Sequence, residues 1–355
     1  MQKYSEAIKI AFAYVGVVVG AGFSTGQEVL QFFSRYGIYS YIGVLISGLI
    51  LTFIGRQVAK IGTAFDAENH GSTLEYLFGK KIGLFIDYVL ILSLYAVTIT
   101  MIAGAGSTFE ESFGVPTWLG ALLMCIAVYI TLLMDFNKIV RALGIVTPVL
   151  IVLVVLIAIT FLFKGSIPIS KINSVVETPN IGLAIWNGFN YGGLAFAVGF
   201  STLVAIGGDA SKRLVSGLGG LLGGVVYLVL LGLINFALHS EYTAIKDSAI
   251  PTLVLAGKIS PILTFVLSIV MLAVMYNTIL GLSYSFAARF TTPYTKGYYV
   301  MISILVPLAY GLSFVGFEGL IKVVYPIMGV IGLFIVLAVI VKYLYRKSQD
   351  KKFIA

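Results

Sequence analysis

Between Gly16 and Glu28 the chain runs Gly-Val-Val-Val-Gly-Ala-Gly-Phe-Ser-Thr-Gly-Gln-Glu, setting glycines, hydroxyls, an amide and a carboxylate inside a stretch otherwise apolar enough for a bilayer. These residue types hold cations and hydrogen-bond polar solutes. Gly20, Ala21, Gly22 and Phe23 offer backbone groups, Ser24 and Thr25 offer hydroxyls, and Gln27 and Glu28 offer an amide and a charge. Lipid cannot satisfy them, because irregular backbone at membrane depth is tolerated only where it is buried in protein or lines a watery cavity. Glu28 is the sharpest of the set: an ionisable group within a span is costly unless it is hydrated, protonated or paired. It suits a substrate ammonium or a coupling proton. The plainer reading is a solvated vestibule residue near Arg35, two turns along the same helix.

A second interruption echoes the first. Gly-Phe-Ser-Thr at 22–25 recurs at 199–202, within Ala197, Val198, Gly199, Phe200 and Ser201. The alternative place for that break is 190–193, where Asn190 and Tyr191 precede two glycines. Tyr95, with Thr98 and Thr100 nearby, would bring a hydroxyl from a third span, or else serve as a packing tyrosine. Enzymatic chemistry finds no footing. His70 falls in the inner loop and His239 at an outer helix end, without a Ser/His/Asp or paired-carboxylate pattern. One cysteine, Cys125, and two histidines exclude a disulfide and make a zinc or iron–sulfur centre untenable. The glycine-rich run 217–224 lacks the Lys-Ser/Thr ending of a phosphate loop and reads as a helix-packing face.

The elements that must position these groups follow from composition. The 355 residues are 59% hydrophobic and 11% charged, with a mean hydropathy of +1.03, so the chain is an all-α polytopic membrane protein. Apolar runs of bilayer length give about ten spans: 10–34, 38–59, 83–108, 117–134, 142–163, 181–207, 214–238, 259–287, 298–314 and 320–343. The N-terminal run has no cleavage site at signal-peptide distance and is read as a retained helix. An even count puts both termini on one side. With that side cytoplasmic, the outer side holds only Arg35, Lys164, Lys171, Lys246, Lys258 and Lys322, as the positive-inside rule requires. The net charge of +8 is then accounted for without nucleic acid. The tail 342–347 is expected to meet anionic lipid of a bacterial plasma membrane. Residues 72–75 read as a capping box opening a short interfacial helix, and 251–257 as a helix over an outer vestibule, the alternative for both being plain connectors.

The string 16–22 resembles the first helix of the leucine-transporter (LeuT-like) fold of the amino acid–polyamine–organocation superfamily, and 198–208 resembles that fold's sixth helix. Residues 19–28 further resemble the YkvI family of bacterial membrane proteins. The resemblance implies two inverted five-helix repeats, 1–165 and 166–355, with the first and sixth helices discontinuous. Broken helices meeting at the midplane form such a transporter's site. It further implies a sodium site built from the carbonyls of Gly16, Val19 and Val274 with the side chains of Asn277 and Thr278, Asn277 departing from the Ser or Thr usual there. The function expected is secondary transport of a small organic solute, an amino acid or related amine, by sodium symport and alternating access. The alternatives are proton coupling or export through Glu28, and, from another class, a channel or receptor-like protein. No cofactor beyond a sodium ion is expected. Solute identity, direction of transport and oligomeric state are not written in these residues.

Overall fold

A computed structural model of the chain describes residues 2–65, 70–134 and 146–348. Lys138 and Arg141 of the expected inner loop, and Lys351 and Lys352 of the basic tail, lie outside the described residues. The first span is three pieces: α1 (Gln2–Val18), α2 (Ala21–Thr25) and α3 (Gln27–Phe32). There follow α4 (Ser40–Phe65), α5 (Gly71–Phe78), α6 (Lys80–Phe113), α7 (Thr117–Leu132), α8 (Val146–Lys164) and α9 (Ile181–Gly208). The remainder is α10 (Arg213–Ser240), α11 (Tyr242–Ile245), α12 (Pro251–Ile259), α13 (Pro261–Phe290), α14 (Lys296–Ser313) and α15 (Phe317–Ser348). Among the described residues seven helices are long and apolar enough to cross a membrane, and Thr117–Leu132 is a shorter apolar one.

The expected short helices are present at 71–78 and 251–259. The first starts at Gly71 behind His70, with no side-chain cap, so Ser72 lies inside it and the capping box does not form.

Two expectations about the breaks need revision. In the first span the chain leaves the helix at Val19–Gly20, with Gly20 extended at φ −79°, ψ −177°, and again at Gly26, φ 78°. Residues 21–25 between these points are a helical turn rather than unwound chain. Gly26 sits in the left-handed region that only glycine enters freely.

The sixth span is not discontinuous. α9 is one helix from Ile181 to Gly208, through both 190–193 and 197–201. Its glycines serve close packing. A Cβ on Gly188 would stand 2.6 Å from the Gly43 Cα, one on Gly193 2.2 Å from the Gly329 carbonyl oxygen, and one on Gly207 2.3 Å from that of Ala59. In lipid, where no hydrophobic drive brings helices together, such close approach and interhelical hydrogen bonds hold the bundle. Ser47 Oγ accordingly donates to the Gly188 carbonyl (2.6 Å), and Thr63 Oγ1 to that of Gly207 (2.6 Å). The glycines of α10 do the same work: Gly220 lies against the Gly55 carbonyl and Gly224 against Thr52.

Both ends of the described chain lie at one end of the bundle. Glu6 accepts hydrogen bonds from the Ser211 amide and hydroxyl (2.7 Å each), and the Lys342 ammonium stands 4.7 Å from the Tyr76 ring centre. This is the end that holds α5. At the opposite end α12 lies over the first-span break. Thr252 Oγ1 donates to the Ser24 carbonyl at 2.6 Å, and Gly26 faces Pro251, Thr252 and Leu238.

Candidate functional site

The break in the first span opens onto a cavity of about 70 Å³ lined by Val17, Val18, Gly20, Gly22, Glu28, Val97, Met101, Tyr191, Leu194, Ala195, Val198, Thr278 and Tyr325. Its walls come from α1–α3, α6, α9, α13 and α15. A helix leaves the carbonyls of its last turn without intrahelical donors, and α1 ends its last turn here. Gly20 has open space where a Cβ would stand.

Glu28 is the cavity's charge. The left-handed Gly26 restarts the helix so that α3 turns Glu28 back over α2, where its Oε1 takes the space a Cβ on Gly22 would occupy. Tyr191 donates to its Oε2 at 3.1 Å, and Tyr325 also hydrogen-bonds the carboxylate. The Tyr191 hydroxyl in turn lies 2.6 Å from that of Tyr227, whose ring packs 5.4 Å from Phe23. All three tyrosines are buried. Among the described residues, no basic one lines the cavity. Arg35 donates to Gln31 Oε1 at 3.1 Å, and Glu28 lines the cavity rather than a vestibule beside Arg35. Tyr227 and Tyr325 were missed by the sequence reading, because a tyrosine in an apolar helix carries no signal of what its hydroxyl meets.

The other expected residues divide. Thr25 Oγ1 bridges the turn, donating to the Gly22 carbonyl (2.7 Å) and accepting from the Gln27 amide (3.2 Å). Gln27 is buried with its Oε1 unpartnered. Of Ala21 only the backbone is described. Val198 lines the cavity, whereas Ala197 and Phe200 are core and Gly199 packs against Val18. Three polar candidates are committed away from it. The Tyr95 hydroxyl donates to the Leu305 carbonyl (2.6 Å), the Asn190 amide to that of Pro326 (3.0 Å), and Ser201 Oγ lies 2.7 Å from His70 Nδ1.

For the expected sodium set, the structure brings Thr278 to the same cavity as the end of α1. The Val274 carbonyl accepts from Thr278 Oγ1 at 2.9 Å. Asn277 is half-buried one residue before, and Gly16 faces Thr147 of α8 (3.8 Å from a built Cβ).

No family model matches the chain. Two proteins of Bacillus subtilis (strain 168) resemble it along nearly its whole length. One is named "Uncharacterized membrane protein YkvI", 26% identical over 362 residues and covering 98% of this chain and 99% of the relative. The other is "Uncharacterized protein YyaD", 25% identical over 346 residues, 95% and 97% covered. Among solved structures the fold matches MhsT in complex with L-phenylalanine, with a TM-score of 0.64, 14% identity, and 92% of this chain and 87% of that one covered. It matches the inward-facing conformation of Mhp1 with a TM-score of 0.59, 16% identity, and 98% and 77% covered. A mutant of the Eremococcus coleocola manganese transporter gives 0.53, 15% identity, and 96% and 72% covered. The chain therefore has the LeuT-like fold, and its resemblance to YkvI extends from the first helix to the entire sequence.

Proposed function

We propose that this protein is a secondary transporter for a small amine or amino acid, and that Glu28 receives the solute's ammonium group in the first-span cavity. One observation carries the reading. A carboxylate faces a largely apolar cavity inside a membrane bundle, held by tyrosine hydroxyls and, among the described residues, by no cation, and such a group is retained where a positively charged ligand completes it. At about 70 Å³, against about 30 Å³ for a water in the liquid, the cavity accommodates a head group, and the rest of a solute requires its apolar walls to move. The architecture that goes with this function is two inverted repeats, 1–165 and 166–355, making about ten spans in a bacterial plasma membrane with both termini cytoplasmic.

Sodium is the coupling ion of the first reading. Gly16 and Val19 supply carbonyls from the end of α1, and Val274, Asn277 and Thr278 supply oxygens from α13; Thr278 at the cavity wall supports it. The hydrogen-bonded series Glu28, Tyr191, Tyr227 favours a second reading, in which a proton is carried by Glu28, since it gives the carboxylate the polar partners that a lone glutamate would lack.

Uptake of labelled amines and amino acids into proteoliposomes tests both. Saturable uptake that needs sodium and whose half-saturating sodium rises in Thr278→Ala supports the first reading. Uptake indifferent to replacing sodium by choline, but abolished by a protonophore and in Glu28→Gln, supports the second. Ion conduction at channel rates with no saturable uptake overturns transport altogether.

A further inference from the structure

The two hydroxyls that hold Glu28 come from different helices, Tyr191 from α9 and Tyr325 from α15. Each is next in sequence to one half of a contact between those helices, in which Asn190 Nδ2 donates to the Pro326 carbonyl at 3.0 Å. Asn190 is 1% exposed, and its Oδ1 has no hydrogen-bond partner among the described residues. A buried amide oxygen left unsatisfied costs stability, so an apolar side chain of the same shape would serve the packing of this interface better. What the amide adds is the single bond to Pro326.

That bond falls where α15 cannot fix itself. Pro326 lies inside the helix and has no N–H, so the Lys322 carbonyl loses its ladder partner and the helix is free to bend there. Tyr325 is carried at that point. Tyr191, by contrast, is tied to the segment of Glu28 itself: its ring centre lies 5.3 Å from that of Phe32 and 4.9 Å from that of Phe33, about one turn after the carboxylate. Glycines beside the bond bring the two backbones into contact, since a Cβ on Gly329 would run into Asn190 and one on Gly332 into Gly193. The amide therefore reaches the carbonyl directly. Position is handed from the Glu28 segment to Tyr191, from Asn190 to Pro326, and so to Tyr325.

We propose that Asn190 is a positioning residue for Glu28: by locking α15 to α9 at Pro326, it sets the Tyr325 hydroxyl on the carboxylate beside that of Tyr191. The proposal rests on the transport reading for what Glu28 receives. With both hydroxyls donating, the carboxylate has one orientation toward the cavity. Without the lock, Tyr325 moves with α15 and Glu28 keeps a single donor.

The test reads Glu28 directly, by infrared titration of the purified full chain in lipid nanodiscs, where its carboxyl is the band absent from Glu28→Gln. Among the described residues the ionisable groups hydrogen-bonded to it are Tyr191 and Tyr325, with Tyr227 behind Tyr191. Tyr325→Phe removes one donor and should shift the band and move its titration midpoint by about one to two pH units, the equivalent of one hydrogen bond to a charged group. Asn190→Leu, close to asparagine in shape, should shift both in the same direction by a comparable amount, and the double variant no further than Tyr325→Phe alone. Ser47→Ala, which removes another side-chain bond to an α9 carbonyl, should lower the melting temperature and leave band and midpoint in place. If Asn190→Leu does not fold, Asn190→Ser, whose hydroxyl stops short of the Pro326 carbonyl, is read in the same way. A parental band and midpoint in the folded Asn190 variant, or shifts that add in full in the double variant, overturn the positioning role. Methylammonium is the probe that separates this role from the reading beneath it. A band that methylammonium moves in the parent, with Asn190 variants unaltered, sinks the positioning role and spares the ammonium reading; a band it leaves still, with Asn190→Leu coupled to Tyr325→Phe, supports the role and counts against that reading.

Discussion

Glu28 was conspicuous in the sequence because a carboxylate inside an apolar run has few uses. Its partners were not, because Tyr191, Tyr227 and Tyr325 lie far from it along the chain and reach it only when α9, α10 and α15 close around the first span. If those hydroxyls orient the carboxylate for a cation, Tyr191→Phe and Tyr325→Phe should each weaken solute binding by about tenfold or more, the equivalent of one hydrogen bond to a charged group. Ligand-induced shifts in melting temperature over a solute titration measure this. Gly22→Ala should act more severely: its Cβ would overlap Glu28 Oε1 and come within 3.0 Å of the Tyr325 hydroxyl. The expected outcome is a folded protein that shows no thermal shift with solute, and undiminished binding in that variant would refute the placement of the carboxylate.

At the scale of elements, glycine misled the reading of α9 and guided that of α10. A glycine- and alanine-rich stretch within a span is compatible with an unwound segment and equally with a helix whose backbone must touch a neighbour. In the first span Gly20 and Gly26 break the helix; in α9, Gly188, Gly193 and Gly207 let it pack. Local sequence is nearly the same in the two cases, and the deciding atoms belong to α4 and α15. Gly193→Ala should therefore lower the melting temperature in detergent, overpacking against the Gly329 carbonyl costing about 1–3 kcal/mol. Gly281→Ala is the matched control, since a Cβ there has nothing within 4 Å and alanine is the better helix former by about 0.5–1 kcal/mol. A larger loss in the control than at Gly193 would contradict this account of α9.

For the molecule as a whole, the end opposite α5 is closed by α12, which is pinned by carboxylates on either side. Glu111 of α6 accepts from the Ile250 amide at 3.2 Å. Glu241 is ion-paired with Lys258 and accepts from the Ser166 amide (3.1 Å) and hydroxyl (2.6 Å). Burial works to raise the pKa of Glu241, but the bonds from Lys258 and Ser166 outweigh it and hold the carboxyl below its usual range. The stability it contributes is thus fully present above the ordinary glutamate value, about 4.3, and is lost as pH falls through the lower folded-state value. Melting temperature should decline with acidification below about pH 4.3, and Glu241→Gln should melt lower at neutral pH with a shallower acid decline. A parental slope in that variant would show that the acid sensitivity resides elsewhere.

The sequence by itself determined that the chain is a helical membrane protein and that its first span is interrupted beside a carboxylate, because hydropathy, helix length and glycine-polar interruptions are properties of contiguous residues; the LeuT-like fold was legible only through the resemblance of residues 16–22 and 198–208 to that fold's first and sixth helices. It also marked short helices near 72–75 and over 251–257, which the structure has at 71–78 and 251–259. Only the tertiary structure decided that α9 is continuous, that Tyr95, Asn190 and Ser201 spend their polar groups on Leu305, Pro326 and His70, and that Asp87, unremarkable in sequence, joins His70 to Arg289. Each of these depends on which atoms lie across a helix interface, and in a bundle held by close backbone approach rather than by hydrophobic patterning, the residues on one helix do not encode what faces them from the next.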